Sequence, residues 1–299
     1  MRVGVILAAR APVPYLREAL ESVLSQDPPP DDVVVVDHAS SPPLEGVSGV
    51  RAVRLDDPAG GPAAARATGL AELDTELVAL ADADDVWAPG KLRAQLDALA
   101  RHPDAAVCFG RAVVIDAAGR ATGEKLPELR AGVLPADALR HELYERNAVP
   151  AASAVVRVDE LEAVGGFIPA TPLPAGTDWD LWLRLVAAGR TFVCAPAAQI
   201  LYRRHEASLT ADLSRLARAG LIIHDRHASL VDPAAATNAR ARDLETLARA
   251  QVRERRYRDA AMSLADAARL RPPAARERLL RLAVTIPGAR GLLGRRSAY

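Results

Sequence analysis

The first hundred residues alternate short apolar runs with amphipathic segments, and this alternation limits the fold more than any other feature of the chain. Each apolar run has the length of a buried strand. The runs lie at residues 3–7, 33–36, 50–55 and 77–81. The amphipathic segments, with apolar residues at helical spacing, lie at residues 16–24, 62–73 and 89–101. This order predicts right-handed crossovers and a mostly parallel sheet flanked by helices.

Beyond residue 105 the pattern changes. Two apolar runs, 107–109 and 112–116, precede a glycine-containing turn at 117–119, which predicts antiparallel additions to the sheet. The later predicted elements are a strand at 154–157, a helix at 178–188, an extended segment at 200–204 and, from about residue 211, only helices, including 243–270. We therefore predict an α/β fold with a mixed, mostly parallel, Rossmann-like sheet over residues 1–210. A C-terminal helical extension over residues 211–299 is expected to follow it.

The composition excludes several classes of protein. The chain has 299 residues, with 38 Lys and Arg against 38 Asp and Glu, so it lacks the excess of positive charge that a nucleic-acid partner requires. No apolar run reaches the roughly 18 to 20 residues of a membrane span, and we interpret MRVGVILAAR as the first core strand. Cys108 and Cys194 lie in apolar runs and are expected to be buried thiols. These features, with a composition typical of a GC-rich bacterial genome, predict a cytoplasmic protein.

Three acids cluster in the segment LADADDVW, where the predicted strand at 77–81 ends. They are Asp82, Asp84 and Asp85. Ligands of such sheets bind at the carboxyl ends of the strands. Adjacent carboxylates repel one another unless a cation neutralises them, and Mg²⁺ and Mn²⁺ prefer oxygen ligands. The cluster therefore predicts a metal site, although an acid at this position could instead cap the next helix.

Five segments resemble, in order and spacing, those of family 2 glycosyltransferases. The segments are PYLREALESVLSQ, VVVVDHASS, GGPAAARATGL, ADADDVWAPGKLRAQLDAL and GTDWDLWLRLVAAG. The resemblance covers roughly residues 3–205 and implies a GT-A nucleotide-sugar-binding fold. It also implies an enzyme that moves a sugar, hexose-like, from a nucleoside diphosphate sugar to an acceptor hydroxyl with inversion. Mn²⁺ or Mg²⁺ is the implied cofactor.

The resemblance implies roles for the donor-site residues. Asp82 would contact the donor ribose, and Asp84 would bind the metal that bridges the two phosphates, with Asp85 close by. Arg66 is similar to the basic residue that approaches the nucleotide, although an exposed helical arginine is the alternative interpretation. His205, in YRRHEAS, is similar to a histidine that closes the donor site and reaches the metal, although a lone histidine can also be structural.

Asp178 matches the acid that the family uses as general base on the acceptor hydroxyl. It lies at the start of a predicted helix, so capping that helix is a second role, and the two roles are compatible. Trp179 and Trp182 belong to the apolar stripe of the same helix, and we interpret them as core residues rather than as sugar-stacking platforms. Arg203 and Arg204 are expected to be able to meet the donor phosphates.

The sequence departs from the family at the first two strand ends. Family members usually have Pro-Thr-Tyr-Asn where this chain has Ala8-Ala9-Arg10-Ala11, so Arg10 replaces the aromatic residue that flanks the base. The usual Asp-Asp is Asp37-His38, and His38 offers a different hydrogen-bonding pattern from a carboxylate. Ala8, Arg10, Asp37 and His38 are therefore expected to shape an unusual nucleotide pocket.

Two other functions are alternatives to an active transferase. A degenerate family member would bind a nucleotide sugar or a partner without turnover, but the retained Asp82, Asp84 and Asp178 argue against it. A sugar-phosphate nucleotidyltransferase would need a glycine-rich basic loop after the first strand, and residues 8–15 do not provide one. The sequence does not distinguish among a saccharide, a lipid-linked and a small-molecule acceptor.

The C-terminal tail alternates arginines with apolar residues. The arginines are Arg276, Arg278, Arg281, Arg290, Arg295 and Arg296. A basic amphipathic segment can lie on an anionic membrane surface, which would place the protein at the inner face of the membrane, near a lipid-linked acceptor. The alternative is a packed terminal helix with solvated arginines.

Overall fold

The computed structural model describes residues 1–272, apart from 45, 46, 48, 125, 127, 169–172, 207, 209 and 210, and beyond them residues 278, 280 and 284. The strands are β1 (Val3–Ala9), β2 (Asp32–His38), β3 (Arg51–Leu55), β4 (Leu77–Asp82), β5 (Val86–Trp87), β6 (Ala105–Ile115), β7 (Gly132–Leu134), β8 (Val155–Arg157) and β9 (Thr191–Arg203). The helices are α1 (Leu16–Leu24), α2 (Gly61–Ala71), α3 (Lys91–Arg101), α4 (Ala136–Glu145), α5 (Val158–Ala163), α6 (Thr177–Ala187), α7 (Leu213–Arg226), α8 (Pro233–Arg253) and α9 (Tyr257–Leu270). The chain divides into two compact units, one of Met1–Pro172 with Thr177–Glu206 and one of Leu173–Gly176 with Ala207–Tyr299.

In the first unit the nine described strands form one sheet. Its order is β3-β2-β1-β4-β8-β6-β9-β5, with β7 paired to β9. The pairs β1 with β2, β1 with β4, β2 with β3 and β6 with β9 are parallel, whereas β8 runs antiparallel to both β4 and β6. Six strands therefore point the same way, and β5, β7 and β8 run against them. The predicted mixed, mostly parallel sheet flanked by helices is confirmed.

The core of this unit lies between the sheet and its helices. On α1, Leu16, Ala19, Leu20 and Val23 are buried, as their spacing predicts, whereas Leu24 is exposed. The strand residues of β1, β2 and β4 are almost entirely buried, which explains their uninterrupted apolar sequences.

Cys108 and Cys194 are buried free thiols, as predicted. Burial raises the pKa of Cys108 to about 12, so this thiol stays protonated. Neither cysteine therefore offers a reactive thiolate.

Some elements differ from those that the sequence predicts. The two expected runs at 107–109 and 112–116 form the single strand β6, whose register against β9 shifts near residues 105–107 and 109–111. Gly110 lies at the second shift, where a Cβ atom would come within 1.6 Å of the Ala198 carbonyl oxygen. Only glycine fits there, so the irregularity allows two backbones to approach closely.

Lys91 is fully buried at the start of α3. Its Nζ donates to Gln95 Oε1 (2.8 Å) and lies 3.6 Å from the centre of the Trp87 ring. Burial lowers the pKa of Lys91 from 10.5 to about 7. The folded protein therefore holds this lysine neutral at pH values where the unfolded chain keeps it charged.

We expect this lysine to make stability depend on pH. Between pH 7 and pH 9 Lys91 carries a proton in the unfolded state that it lacks in the folded state. The contribution of Lys91 to the free energy of unfolding therefore rises with pH. Relative to Lys91→Met, the wild type should gain up to about 1.4 kcal/mol for each pH unit. Urea unfolding of both proteins at pH 7, 8 and 9 measures this difference, and parallel curves would contradict the neutral lysine.

The second unit is helical in its described part. α8 and α9 are separate helices, so the helical pattern predicted over 243–270 is interrupted at residues 254–256. On α7, His224 contacts Asp243 of α8 through Nδ1 (2.5 Å). Within the described residues, no helix has both the length and the apolar character needed to cross a membrane. Most of the basic tail, residues 273–277, 279, 281–283 and 285–299, lies outside the described residues.

Candidate functional site

The parallel strands β1, β2 and β4 end side by side and bring predicted site residues together. In the register of the sheet, Ala8 lies opposite Asp82, and Ala9 lies opposite Asp37. Residues far apart in sequence therefore meet at one edge, at the carboxyl ends of the strands. This is the edge at which α/β sheets bind their ligands.

Asp37 is buried at the end of β2 and is satisfied by its own surroundings. Its carboxylate accepts hydrogen bonds from the backbone N–H groups of Ser40 (3.0 Å) and Leu44 (3.1 Å), and from Arg54 Nη1 (2.7 Å). Burial raises the pKa of Asp37, but these hydrogen bonds outweigh burial and hold it below its ordinary value. Asp37 is therefore an ionised residue that fixes the turn after β2.

Arg10 and His38 converge on the segment before α2. His38 is buried, and its Nε2 donates to the Asp57 carbonyl oxygen (2.8 Å), a contact that implies the Nε2–H tautomer. Arg10 is exposed and donates through Nη1 to the Pro58 carbonyl oxygen (3.2 Å). Arg10 and His38, which depart from the family pattern, thus both bind the backbone of the segment Asp57-Pro58.

One ion pair and one contact between a histidine and a carboxylate tie the acidic loop at the end of β4 (Asp82, Asp84 and Asp85) to other parts of the site. Arg66 on α2 is almost completely buried and donates to Asp82 Oδ1 (3.0 Å). His205 Nε2 lies 3.1 Å from Asp84 Oδ2. Burial and the charge of Asp82 raise the pKa of Asp84, although His205 partly offsets them. Both half-buried carboxylates therefore have a basic partner, and Arg66 is not the exposed helical arginine of the alternative interpretation.

Asp85 is the most buried acid of the loop. Its Oδ1 accepts a hydrogen bond from the Arg203 backbone N–H (2.9 Å), whereas Oδ2 has no hydrogen-bond partner in the described part of the chain. Burial, followed by the charges of Asp82 and Asp84, raises its pKa well above the ordinary value. A buried oxygen without a partner next to other acids is a position at which a cation would be stabilised.

Arg203 lies beneath the acidic loop and holds its shape. Only 2% of its side chain is exposed. Its Nε donates to the Asp84 carbonyl oxygen (2.9 Å), and its Nη2 donates to Glu18 Oε2 (2.6 Å). Its guanidinium also lies 4.3 Å from the centre of the Tyr15 ring. We therefore correct the expectation that Arg203 meets donor phosphates, because its donors are already occupied by the protein.

The residues present fit a divalent metal that is shared with a bound ligand. No group of three or more His, Cys, Asp or Glu side chains within the described ranges forms a ready-made metal site. Asp84 and His205 supply two ligand atoms that already lie together, and Asp85 Oδ2 lacks a partner. Mg²⁺ is commonly bound by one or two carboxylates together with substrate phosphates, which such a set allows.

Asp178 lies half-buried in the first turn of α6. Asn147, just after α4, donates through Nδ2 to Asp178 Oδ2 (2.8 Å). Trp179 Nε1 donates to the Leu143 carbonyl oxygen (2.5 Å), and the fully buried Trp182 donates to the Val149 carbonyl oxygen (3.0 Å). Asp178 and the two tryptophans thus contact α4 and the segment that follows it. The sequence did not predict that this part of the chain belongs to the site.

Two further residues at the site were missed as functional candidates. The Tyr15 ring lies 5.4 Å from the His205 ring, at an angle of 48°. Tyr15 belongs to the quoted PYLREALESVLSQ segment, so the signal was present but gave no role. Arg54 lies in β3, outside all the quoted segments, and only the structure reveals its ion pair with Asp37.

Solved structures share this fold. TarS of S. aureus in complex with UDP-GlcNAc superposes with a TM-score of 0.64 at 17% identity, over 98% of this chain and 86% of that chain. A mannosyltransferase from Pyrobaculum calidifontis in complex with GDP-Man and Mn²⁺ superposes with a TM-score of 0.56 at 18% identity, over 98% and 83%. At such identities the comparison establishes the fold, which is GT-A.

Sequence comparisons give the family. Uncharacterized proteins of Mycobacterium tuberculosis and Mycobacterium bovis are 32% identical over 201 residues, which make up 64% of this chain and 55% of each relative. The chain thus spans about half the length of the curated relatives it matches. Residues 5–153 match the family model described as glycosyl transferase family 2. On this match and its fold, the chain belongs to glycosyl transferase family 2.

Proposed function

We propose that this chain is a glycosyltransferase that moves a sugar from a nucleoside diphosphate sugar to an acceptor hydroxyl with inversion at the anomeric carbon. The observation that carries the proposal is the group of Asp37, Asp82 and Asp84 at or just after the carboxyl ends of β2 and β4, which flank β1, with Arg66 and His205 paired to the last two. Such a group would combine ribose acceptors, cation ligands and basic residues at one edge of the sheet.

The donor is proposed to bind along this edge. TarS with UDP-GlcNAc and the mannosyltransferase with GDP-Man support a nucleotide sugar as the ligand, and a hexose as the transferred group. Asp82, oriented by Arg66, is proposed to accept a hydrogen bond from the ribose. Ala8, Arg10, Asp37 and His38 would line the nucleoside pocket, because they lie at or just after the ends of β1 and β2.

Asp84 and His205 are proposed to hold Mn²⁺ or Mg²⁺ together with the donor phosphates, with Asp85 as a further ligand through Oδ2. The Mn²⁺ of the mannosyltransferase complex supports this choice of metal. When bound, the metal would offset the negative charge that develops on the leaving diphosphate. The raised pKa of Asp84 and of Asp85 fits this role, since burial and the neighbouring carboxylates both disfavour negative charge until a cation is present.

Asp178 is proposed to act as the general base. Its carboxylate would take the proton of the acceptor hydroxyl, whose oxygen then attacks the anomeric carbon from the face opposite the leaving diphosphate. Asn147 would position this carboxylate, because it donates to Oδ2 and leaves Oδ1 available.

We expect Asn147→Ala to lower kcat by about tenfold with little change in the donor KM. The variant removes the hydrogen-bond donor that orients Asp178. Asn147 has no described contact with the residues proposed to bind the nucleotide sugar. Steady-state kinetics measure the split between kcat and KM, and Asn147→Gln, which retains the amide, should recover part of the rate. A fall in thermal stability with kcat unchanged would instead indicate a structural role.

The nucleotide pocket provides another prediction. Because Arg10 and His38 hold Pro58 and Asp57, Arg10→Ala and His38→Ala should each change the preference between uridine and guanosine donors by about tenfold. Competition binding of UDP against GDP measures this preference in wild type and variants. Arg17→Ala, which removes an exposed arginine of α1, is the control. Unchanged selectivity in both variants would exclude them from the pocket.

The experiment that tests the function is a thermal-shift screen of nucleotide sugars with and without Mn²⁺, followed by a donor hydrolysis assay. A metal-dependent shift together with turnover supports the transferase. A shift without turnover favours the rival proposal, a non-catalytic module that binds a nucleotide sugar or a partner.

The acceptor and the location in the cell also remain proposals. A saccharide, lipid-linked or small-molecule acceptor suits the chemistry of Asp178 equally well. We retain the proposal that the tail contacts an anionic membrane surface, and that a domain boundary lies near residue 210. Binding of the protein to anionic vesicles at low salt tests the tail proposal.

A further inference from the structure

The turn between α8 and α9 concentrates positive charge at one corner of the second unit. We call the residues Arg253, Arg255, Arg256 and Arg258 the basic corner. All four are exposed, and they follow each other within six positions. With Glu254 and Asp259 as the neighbouring acids, the corner retains two net positive charges.

The acids of the corner are already used by one arginine. Arg256 donates through Nη1 to Glu254 Oε2 (3.0 Å) and through Nε to Asp259 Oδ2 (2.8 Å). The side chains of Arg253, Arg255 and Arg258 form no hydrogen bond or ion pair with any described residue. The corner thus presents three guanidinium groups whose donors are available to a ligand.

Arg255 occupies a backbone position that glycine fills elsewhere in this protein. The turn is a Schellman motif, since Arg255 N–H bonds to Val252 O (3.0 Å) and Arg256 N–H bonds to Gln251 O (2.8 Å). Arg255 has a φ of 61°, in the left-handed region. The equivalent residues after α5 and α6 are Gly165 (φ 88°) and Gly189 (φ 76°). An arginine in place of the less strained glycine suggests that its side chain has a use.

The corner also has a shallow, open depression. An open pocket of about 400 Å³ is lined by residues 255–259. Three of the five lining residues are arginines, and Tyr257 adds a ring beside them. Guanidinium groups bind phosphate oxygens through paired, charge-assisted hydrogen bonds. These bonds are stronger than the hydrogen bonds that guanidinium groups form with neutral ligands.

We propose that the basic corner is a binding site for a phosphate group, separate from the nucleotide-sugar site of the first unit. Arg255 and Arg258 would hold the phosphate, with Arg256 kept in place by its two acids. The phosphate could be carried by a lipid headgroup or by a soluble phosphorylated ligand. The proposal does not depend on the transferase activity, because it rests on residues of the α8–α9 turn alone.

The full-length protein is titrated with inorganic phosphate at constant ionic strength while the arginine Nε–H signals are followed by NMR. Arg255→Gly is the informative variant, because glycine suits the left-handed position and should leave the melting temperature unchanged or higher. It should weaken phosphate binding by about fivefold. Arg218→Ala is the matched control, since it removes one exposed arginine of α7 that pairs with no described residue.

A second arm identifies the source of the phosphate. Vesicles of phosphatidylcholine with about 30 mol% phosphatidylglycerol are sedimented with each protein. This anionic fraction gives the vesicles a negative surface charge like that of cell membranes. Vesicle binding that Arg255→Gly reduces and Arg218→Ala does not indicates a lipid headgroup. Phosphate-induced shifts at the corner without vesicle binding indicate a soluble ligand, and both outcomes support the site. Absence of corner shifts, or equal weakening in Arg255→Gly and Arg218→Ala, would overturn it.

Discussion

Replacing Asp84 with alanine is expected to weaken metal-dependent donor binding by at least about 100-fold while the protein remains folded. Asp84 is the carboxylate that contacts His205, so its loss would leave one of the two paired ligand atoms of the proposed metal site. Its pKa is raised by burial and by the charge of Asp82, which means that folding disfavours the ionised form. Removing it should therefore leave the melting temperature unchanged or slightly higher at neutral pH.

Calorimetric titration with UDP-GlcNAc or GDP-mannose, with and without Mn²⁺, measures this effect. Asp97→Ala removes an exposed acid of α3 and serves as the control for net charge. The assignment of Asp84 is wrong if the variant binds the donor in the presence of Mn²⁺ as tightly as the wild type does.

Asp178→Asn is expected to lower the rate of sugar transfer by about 10²- to 10⁴-fold, the contribution of a positioned general base. Asparagine keeps the size of the side chain and one oxygen near Asn147 but cannot accept the proton. Donor binding and melting temperature should therefore stay close to those of the wild type, because Asp178 has no described contact with the acidic loop.

Single-turnover transfer to an identified acceptor, together with donor titration, separates these effects. The control is Asp159→Asn, which changes an exposed acid in the first turn of α5 and so repeats the local helix chemistry. Wild-type transfer by a well-folded Asp178→Asn protein would place the base elsewhere. Loss of the fold would favour a structural role in the first turn of α6.

The sequence predicts the sheet well because most of its strands are buried apolar runs. β1, β2, β4 and the helices between them each contain enough apolar residues at the appropriate spacing to be recognised. β7 has three residues and α5 has six, and elements of that length carry too few repeats for a periodic signal. Their conformation is set by what they pack against, which a local pattern does not contain.

The acids of the site are predictable, whereas their partners are not. Asp82, Asp84 and Asp85 lie in one segment after an apolar strand, so their proximity is already present in the sequence. Arg203 reaches Asp85 across 118 positions, and His205 reaches Asp84 across 121. The resemblance to a family pointed to His205, but no local rule could have shown that Arg203 supports the loop instead of facing a ligand.

The position of Arg203 has a consequence for how the protein is made. The acidic loop and all the residues matched by the family model leave the ribosome before β9 does, because that match ends at residue 153. Until Arg203 has been synthesised, Asp85 lacks the backbone N–H that it binds, and Asp84 lacks the guanidinium beneath its carbonyl group. A nascent chain therefore carries the acids without the support that holds their geometry.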